Sequence, residues 1–95
     1  METIYKYKLT TTDNQVLSLP VFSEILTVQL QGGEPYLWAL VNKNIEEEIP
    51  ITIEIFGTGN PIPDGKRRYI STYQLLDGRL VFHVFEKLDY YEYII

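Results

Sequence analysis

Apolar and polar residues alternate one by one along much of the chain. The clearest stretch is Ile49, Ile51, Ile53 and Ile55, separated by Pro50, Thr52 and Glu54. Successive side chains of an extended strand point to opposite faces, so this segment predicts an all-isoleucine face turned to a core. Leu26, Val28 and Leu30 alternate with Thr27, Gln29 and Gln31 and predict a second such strand. In ETIYKYKL, Ile4, Lys6 and Lys8 share one face and Thr3, Tyr5, Tyr7 and Leu9 the other. LVFHVFE sets Val81, His83 and Phe85 against Leu80, Phe82 and Val84. PYLWALV is apolar on both faces, which predicts a strand buried on both sides or lying at an interface. No segment sustains a helical period, and aromatic and β-branched residues argue against a helix in the closing LDYYEYII.

Turn residues separate these runs at Thr12-Asp13-Asn14, Leu19-Pro20, Gly32-Gly33, Asn42-Lys43-Asn44, 57–65 and Asp77-Gly78. Strands are predicted at 3–10, 15–19, 24–31, 35–42, 48–56, 68–75 and 79–86. Gly32-Gly33 and Asp77-Gly78 are hairpin signals, because such residues accept the positive φ angles of a tight turn. The expected fold is all-β: a single-domain antiparallel β-sandwich or partly open barrel of about seven strands. Residues 1–95 form one domain, with 87–95 a candidate edge strand or interface tail.

Composition narrows the functional classes. A chain of 95 residues with 45% hydrophobic content has room for one globular domain and a thin stability margin, so an oligomer or ligand is a natural supplement. The absence of cysteine excludes disulfides, thiolate metal sites and cysteine nucleophiles, and fits a cytoplasmic setting. METIYKYKLT lacks the apolar centre of a signal peptide, and no apolar run approaches the roughly 20 residues that span a bilayer, so no membrane role is expected. A net charge of −5 disfavours general nucleic-acid binding. The acids cluster at Glu46, Glu47 and Glu48, most simply as a solvated turn, and again at Glu86, Asp89 and Glu92.

One stretch gathers unusual chemistry. FGTGNPIPDGKRR, residues 56–68, holds three of the six glycines and three of the eight basic residues. Gly57-Thr58-Gly59 can turn sharply and aim amide hydrogens at an anion. Neither the dinucleotide fingerprint nor the phosphate-binding loop fits, because Ile62 replaces the third glycine and Gly65-Lys66 is followed by Arg67. Two readings stand: a structured hairpin connection, or an anion or nucleotide site built from Gly57, Thr58, Gly59, Asn60, Lys66, Arg67 and Arg68. His83 is the single histidine, and it lies in an apolar strand. It reads as a locally hydrogen-bonded strand residue or as a ligand contact. No metal spacing surrounds it, and Ser18, Ser23 and Ser71 lack a nucleophile-elbow context. Trp38 is read as a core residue, with a stacking or interface role as the alternative. Tyr90, Tyr91 and Tyr93 are interface candidates, since tyrosine buries area while keeping a polar handle.

IYKYKL with LSLP, EILTVQLQGGEPYLWALV, IFGTGNPI and YISTYQLLDGRLVFHVFE occur in an order that resembles a family of small functionally uncharacterised bacteriophage and prophage proteins. The resemblance covers most of residues 4–86. Asn60 stands where that family often has histidine after GTG, which weakens a metal or acid–base role for the loop. The resemblance implies a phage or prophage source and groups the GTG turn, Trp38 and the LVFH strand. The expected function is a non-enzymatic accessory protein that acts by protein–protein interaction as an oligomer, on itself or on a host or phage protein, in the host cytoplasm. The alternative is a small-molecule binder, such as a nucleotide-signal sponge using residues 57–68. A hydrolase has the least support, and no cofactor is expected.

Overall fold

The computed structural model describes residues 1–88. Seven strands follow one another: β1 (Glu2–Lys8), β2 (Asn14–Pro20), β3 (Glu24–Gln31), β4 (Glu34–Asn42), β5 (Glu48–Gly57), β6 (Arg67–Leu75) and β7 (Leu80–Lys87). All seven predicted strands are present, and no helix occurs among the described residues. They form two antiparallel sheets, β1-β4-β3 and β2-β5-β7-β6, packed as a sandwich and not closed into a barrel. The core lies between them. Leu9, Val28, Leu37, Ala39 and Val41 enter it from the three-stranded side, and Leu19, Ile53, Ile55, Tyr73 and Val84 from the other. The isoleucine face of β5 runs from this core to the rim: Ile53 and Ile55 are buried, whereas Ile49 is exposed.

Two local features differ from the simple alternation. In β3 a bulge lies between Ile25 and Thr27, which pair with Ala39 and Trp38. The extra residue, Leu26, is left exposed, and Ile25 packs against the core with Val28 in its place. A matching bulge interrupts β6 between Tyr69 and Ser71. The two bulged strands are the edges that close one side of the sandwich. There Ser71 Oγ accepts the Val28 N–H at 2.9 Å and shares a 3.0 Å bond with Thr27 Oγ1.

The turns show the same mixture. Gly32 and Gly33 both have positive φ, at 61° and 80°, as the tight hairpin requires. The β6–β7 hairpin begins one residue earlier than Asp77-Gly78 suggests. Leu76 and Asp77 are already left-handed, and Gly78 N–H donates to Leu75 O. In the β2–β3 turn Phe22 takes φ 67°, in a turn closed by Ser23 N–H to Pro20 O, and its side chain is 89% exposed.

The stretch at 57–66 is not a hairpin. β5 and β6 are both antiparallel to β7, which lies between them, so they run parallel to each other. The chain must therefore travel back the length of the strand before β6 can start, because Gly57 pairs at Phe82 and Arg67 at Lys87. Pro61 and Pro63 favour extended backbone for that return. The return path lies along the outer face of the four-stranded sheet, where Arg67 Nη1 donates to Pro63 O at 2.9 Å.

Candidate functional site

The crossover starts with a tight turn in which Asn60 N–H donates to Gly57 O at 3.0 Å and Gly59 holds φ 89°. A Cβ at Gly57 would sit 3.0 Å from Asn60 Nδ2, the end of a side chain that can shift, so the turn's demand for glycine rests on the positive φ of Gly59. The turn delivers Thr58 onto β7. Thr58 N–H donates to Val81 O, and Thr58 Oγ1 lies 2.7 Å from His83 Nε2. From the other side Thr72 Oγ1 lies 3.1 Å from His83 Nδ1 and 2.6 Å from the Tyr69 hydroxyl.

Two proton orders satisfy this row. Thr58 either accepts from His83 Nε2–H, its own hydroxyl then donating to Val81 O at 3.4 Å, or donates to Nε2, and in both orders Thr72 meets Nδ1 in the complementary role and also bonds Tyr69. Both imidazole nitrogens are thereby engaged. The arrangement fixes the loop start to the sheet and leaves no free lone pair on the ring for proton abstraction.

The basic triplet divides. Arg67 and Arg68 are adjacent in β6 and point to opposite faces. Arg67 lies on the outer face, with its Nε 2.9 Å from Glu54 Oε1 and its guanidinium 5.5 Å from the Phe56 ring centroid. Both side chains of that pair are 12% exposed, because the returning loop covers them. Arg68 lies on the inner side at the mouth of the sandwich, bonded to Glu86, its direct cross-strand neighbour. Lys66 is engaged through its backbone, accepting the Leu88 N–H. The pocket beside Arg68 and Glu86 is lined by Leu19, Pro20, Ile25 and Ile51 and holds about 40 Å³. That is far below the roughly 300–1,000 Å³ of small-molecule sites. Arg67 and Arg68 thus do not converge on the Gly57–Gly59 amides. Arg79 is the cation that lines the open groove beside Gly57, Thr58 and Asn60, and it carried no signal in the sequence. Thr72, Tyr69 and Glu54 were likewise visible only as strand residues.

On the opposite side of the molecule, Trp38 does not enter the core. Pro35, Leu37, Ala39 and Val41 of β4 face inward, which turns Tyr36, Trp38 and Leu40 outward. Tyr36 and Trp38 pack with ring centroids 5.9 Å apart. Lys6, paired with Trp38 across the ladder, places its ammonium 4.7 Å from the Tyr36 centroid and bonds Gln31 Oε1 at 2.6 Å. Ile4, paired with Leu40, is 55% exposed. The result is an aromatic and aliphatic strip with a lysine rim on the outer face of a three-stranded sheet. Tyr90, Tyr91 and Tyr93 lie outside the described residues. Among the described residues no group of three His, Cys, Asp or Glu side chains could hold a metal ion.

These features define a small two-sheet β-sandwich whose exposed chemistry lies on its outer faces rather than in an enclosed cleft. The chain belongs to the family described as Domain of unknown function (DUF7352), whose model matches residues 1–92. The match runs past Glu86, where the resemblance in the sequence ends, and the family description carries neither an activity nor a phage source. No curated protein and no solved structure matches the chain.

Proposed function

We propose that this is a non-enzymatic interaction domain that works as an oligomer and docks a protein partner through the outer face of its three-stranded sheet. The carrying observation is the outward Tyr36–Trp38–Leu40 strip with Ile4 and Lys6 beside it. An antiparallel sheet with one face in the core ordinarily turns a polar face to water. Aromatic side chains within a polar rim are the composition of interface hot spots. The engaged nitrogens of His83 and the internal pairing of Arg67 and Arg68 lend support against hydrolytic chemistry. The resemblance of the sequence to bacteriophage and prophage proteins makes a host or phage protein, in the host cytoplasm, the partner of this reading.

The test is capture from cells that carry the gene, with wild type beside Trp38→Ala and Lys6→Glu, all checked for folding by thermal melts. A partner held by wild type and lost by both variants is the expected result. A partner held equally by all three, or no partner at all, refutes the proposal.

A second reading keeps a small anion as ligand, in the groove of Gly57, Thr58, Asn60 and Arg79. A thermal shift across a nucleotide and anion panel that disappears in Arg79→Ala would support it, and a panel without shifts would end it.

A further inference from the structure

The two sheets leave four strand edges, and three of them are occupied or interrupted. β3 and β6 close on each other, with the Val28 N–H taken by Ser71 Oγ and a bulge in each strand. β2 ends in Pro20, which has no N–H, and Thr12 Oγ1 donates to its Asn14 O. β1 differs. It has neither the bulge of β3 and β6 nor the proline of β2, which is itself bulge-free on β5, and it pairs with β4 from Glu2 opposite Asn42 to Lys8 opposite Tyr36.

The ladder bonds show which way each β1 residue points. Leu9 N–H donates to Pro35 O and Lys43 N–H to Met1 O, both in the β1–β4 register. Bonded and non-bonded pairs alternate in an antiparallel ladder, so the odd-numbered residues of β1 spend their backbone groups on β4. Glu2, Ile4, Lys6 and Lys8 therefore turn N–H and C=O to the open edge. Among the described residues β4 is the sole strand that pairs with β1.

From this geometry we infer that the β1 edge pairs antiparallel with β1 of a second copy, about a two-fold axis at Tyr5. This deepens the self-association in the proposed function and rests on it. Three constraints select the register. The core faces of both copies must stay on one side, so paired residue numbers must sum to an even value. The bonded pairs must be even-numbered on both strands. A sum of ten then uses every edge group, pairing Glu2 with Lys8 and Ile4 with Lys6 of the second copy. A sum of eight leaves Lys8 without a partner strand. The favoured register also sets the one acid of β1 against a lysine on the same face, and opposite charges directly across a ladder are stabilising. It lays Tyr5, 44% exposed, against Tyr5 of the second copy at the open side of the core. The consequence is a sheet continuous through both copies, with its two Trp38 strips side by side as a bivalent docking surface.

Sedimentation of the full chain over a concentration series tests this. Ile4→Pro removes an edge donor but no bond to β4, so it tolerates the intramolecular ladder while blocking the intermolecular one. Glu2→Lys sets lysine against Lys8 and leaves the exposed surface of the monomer otherwise unchanged, which keeps the test valid should the proline variant fold poorly. The expected result is a wild-type dimer weakened by roughly tenfold or more in either variant, with Glu2→Lys, Lys8→Glu together restoring it to within a few fold of wild type. A strict monomer, a dimer unmoved by Ile4→Pro and Glu2→Lys, or a Glu2→Lys defect rescued by Lys6→Glu in place of Lys8→Glu would each overturn the inference. A monomer that still captures its partner through Trp38 would overturn the inference and leave the docking face standing.

Discussion

Arg67→Met should be the most damaging single change on the outer surface, although Arg67 sits at the start of an edge strand. Its guanidinium bonds Glu54 at 2.9 Å, accepts cover from the crossover loop and donates to Pro63 O and Gly65 O. Methionine keeps most of the packing over Phe56 and leaves the Glu54 carboxylate buried without its cation. Breaking a buried pair from one side costs about 3–5 kcal/mol. Both side chains are 12% exposed, so some water returns and the lower end, about 3 kcal/mol, is expected. A domain of this size has roughly 5–14 kcal/mol in total, and each 1 kcal/mol lost lowers Tm by about 4–8 °C. The predicted drop is therefore about 12–24 °C in a calorimetric or circular-dichroism melt. Glu54→Gln in the Arg67→Met background removes the orphaned charge and should recover part of that loss. Lys8→Met breaks the pair with Glu34, in which both side chains are more than half exposed, and should cost less than about 0.5 kcal/mol. If Arg67→Met costs no more than Lys8→Met, or the Glu54→Gln change worsens it, the loop does not seal this pair and the reasoning fails.

Other expectations follow from single contacts. Phe22→Gly should stabilise the chain by about 1 kcal/mol in urea unfolding, because Phe22 holds φ 67° with its ring in water; a loss of stability would mean that the ring is covered in solution. Ser71→Ala should cost about 1–3 kcal/mol, since it strips the buried Val28 N–H of its acceptor at the seam between the sheets; an unchanged urea midpoint would show that the seam is not closed by this bond. Burial holds the Tyr73 hydroxyl above its ordinary value of 10.0, against a smaller opposing pull from Thr11, and burial followed by the Glu48 carboxylate does the same for Tyr7. An acid with a raised folded-state value keeps its proton while the unfolded chain gives it up, so stability is complete below pH 10 and falls as pH rises beyond it. Tyr73→Phe should flatten that fall in alkaline melts, and an equally steep slope would refute the assignment.

The strands were legible because alternation is a local signal and burial follows it. ETIYKYKL shows this best: Lys6 and Lys8 point out, and Tyr7 and Leu9 point in, as the pattern requires. The departures from the simple pattern are of two kinds. Alternation groups Leu26 with Val28, because a bulge adds one residue without changing composition, and only the pairing to β4 reveals that Ile25 takes the inner position. The 57–66 crossover looked like a hairpin because strand order is not local. Nothing in FGTGNPIPDGKRR says that β7 will occupy the place between β5 and β6. The division of the basic triplet was, by contrast, available. Starting the strand at Arg67 rather than Arg68 sends neighbouring side chains to opposite faces, and a glutamate inside an isoleucine strand is a natural partner for one of them.

That crossover also explains why the two outer faces differ. A parallel return over the four-stranded sheet lays residues 58–66 across β5, so Phe56, Glu54 and Arg67 are covered from within the chain, and His83 is tied to Thr58 beneath the loop start. The three-stranded sheet is built from β1 and the β3–β4 hairpin, whose connection is the two glycines Gly32 and Gly33. A turn that short cannot fold back over its own sheet. Its outer face therefore keeps Tyr36, Trp38 and Leu40 half-buried between their strand neighbours and Ile4 exposed, with no returning loop laid over them among the described residues. The loop richest in glycine and cations closes one face, and there Arg67 and Arg68 turn to Glu54 and Glu86 rather than to the Gly57–Gly59 amides. The face with no motif is the one on which the proposed docking rests.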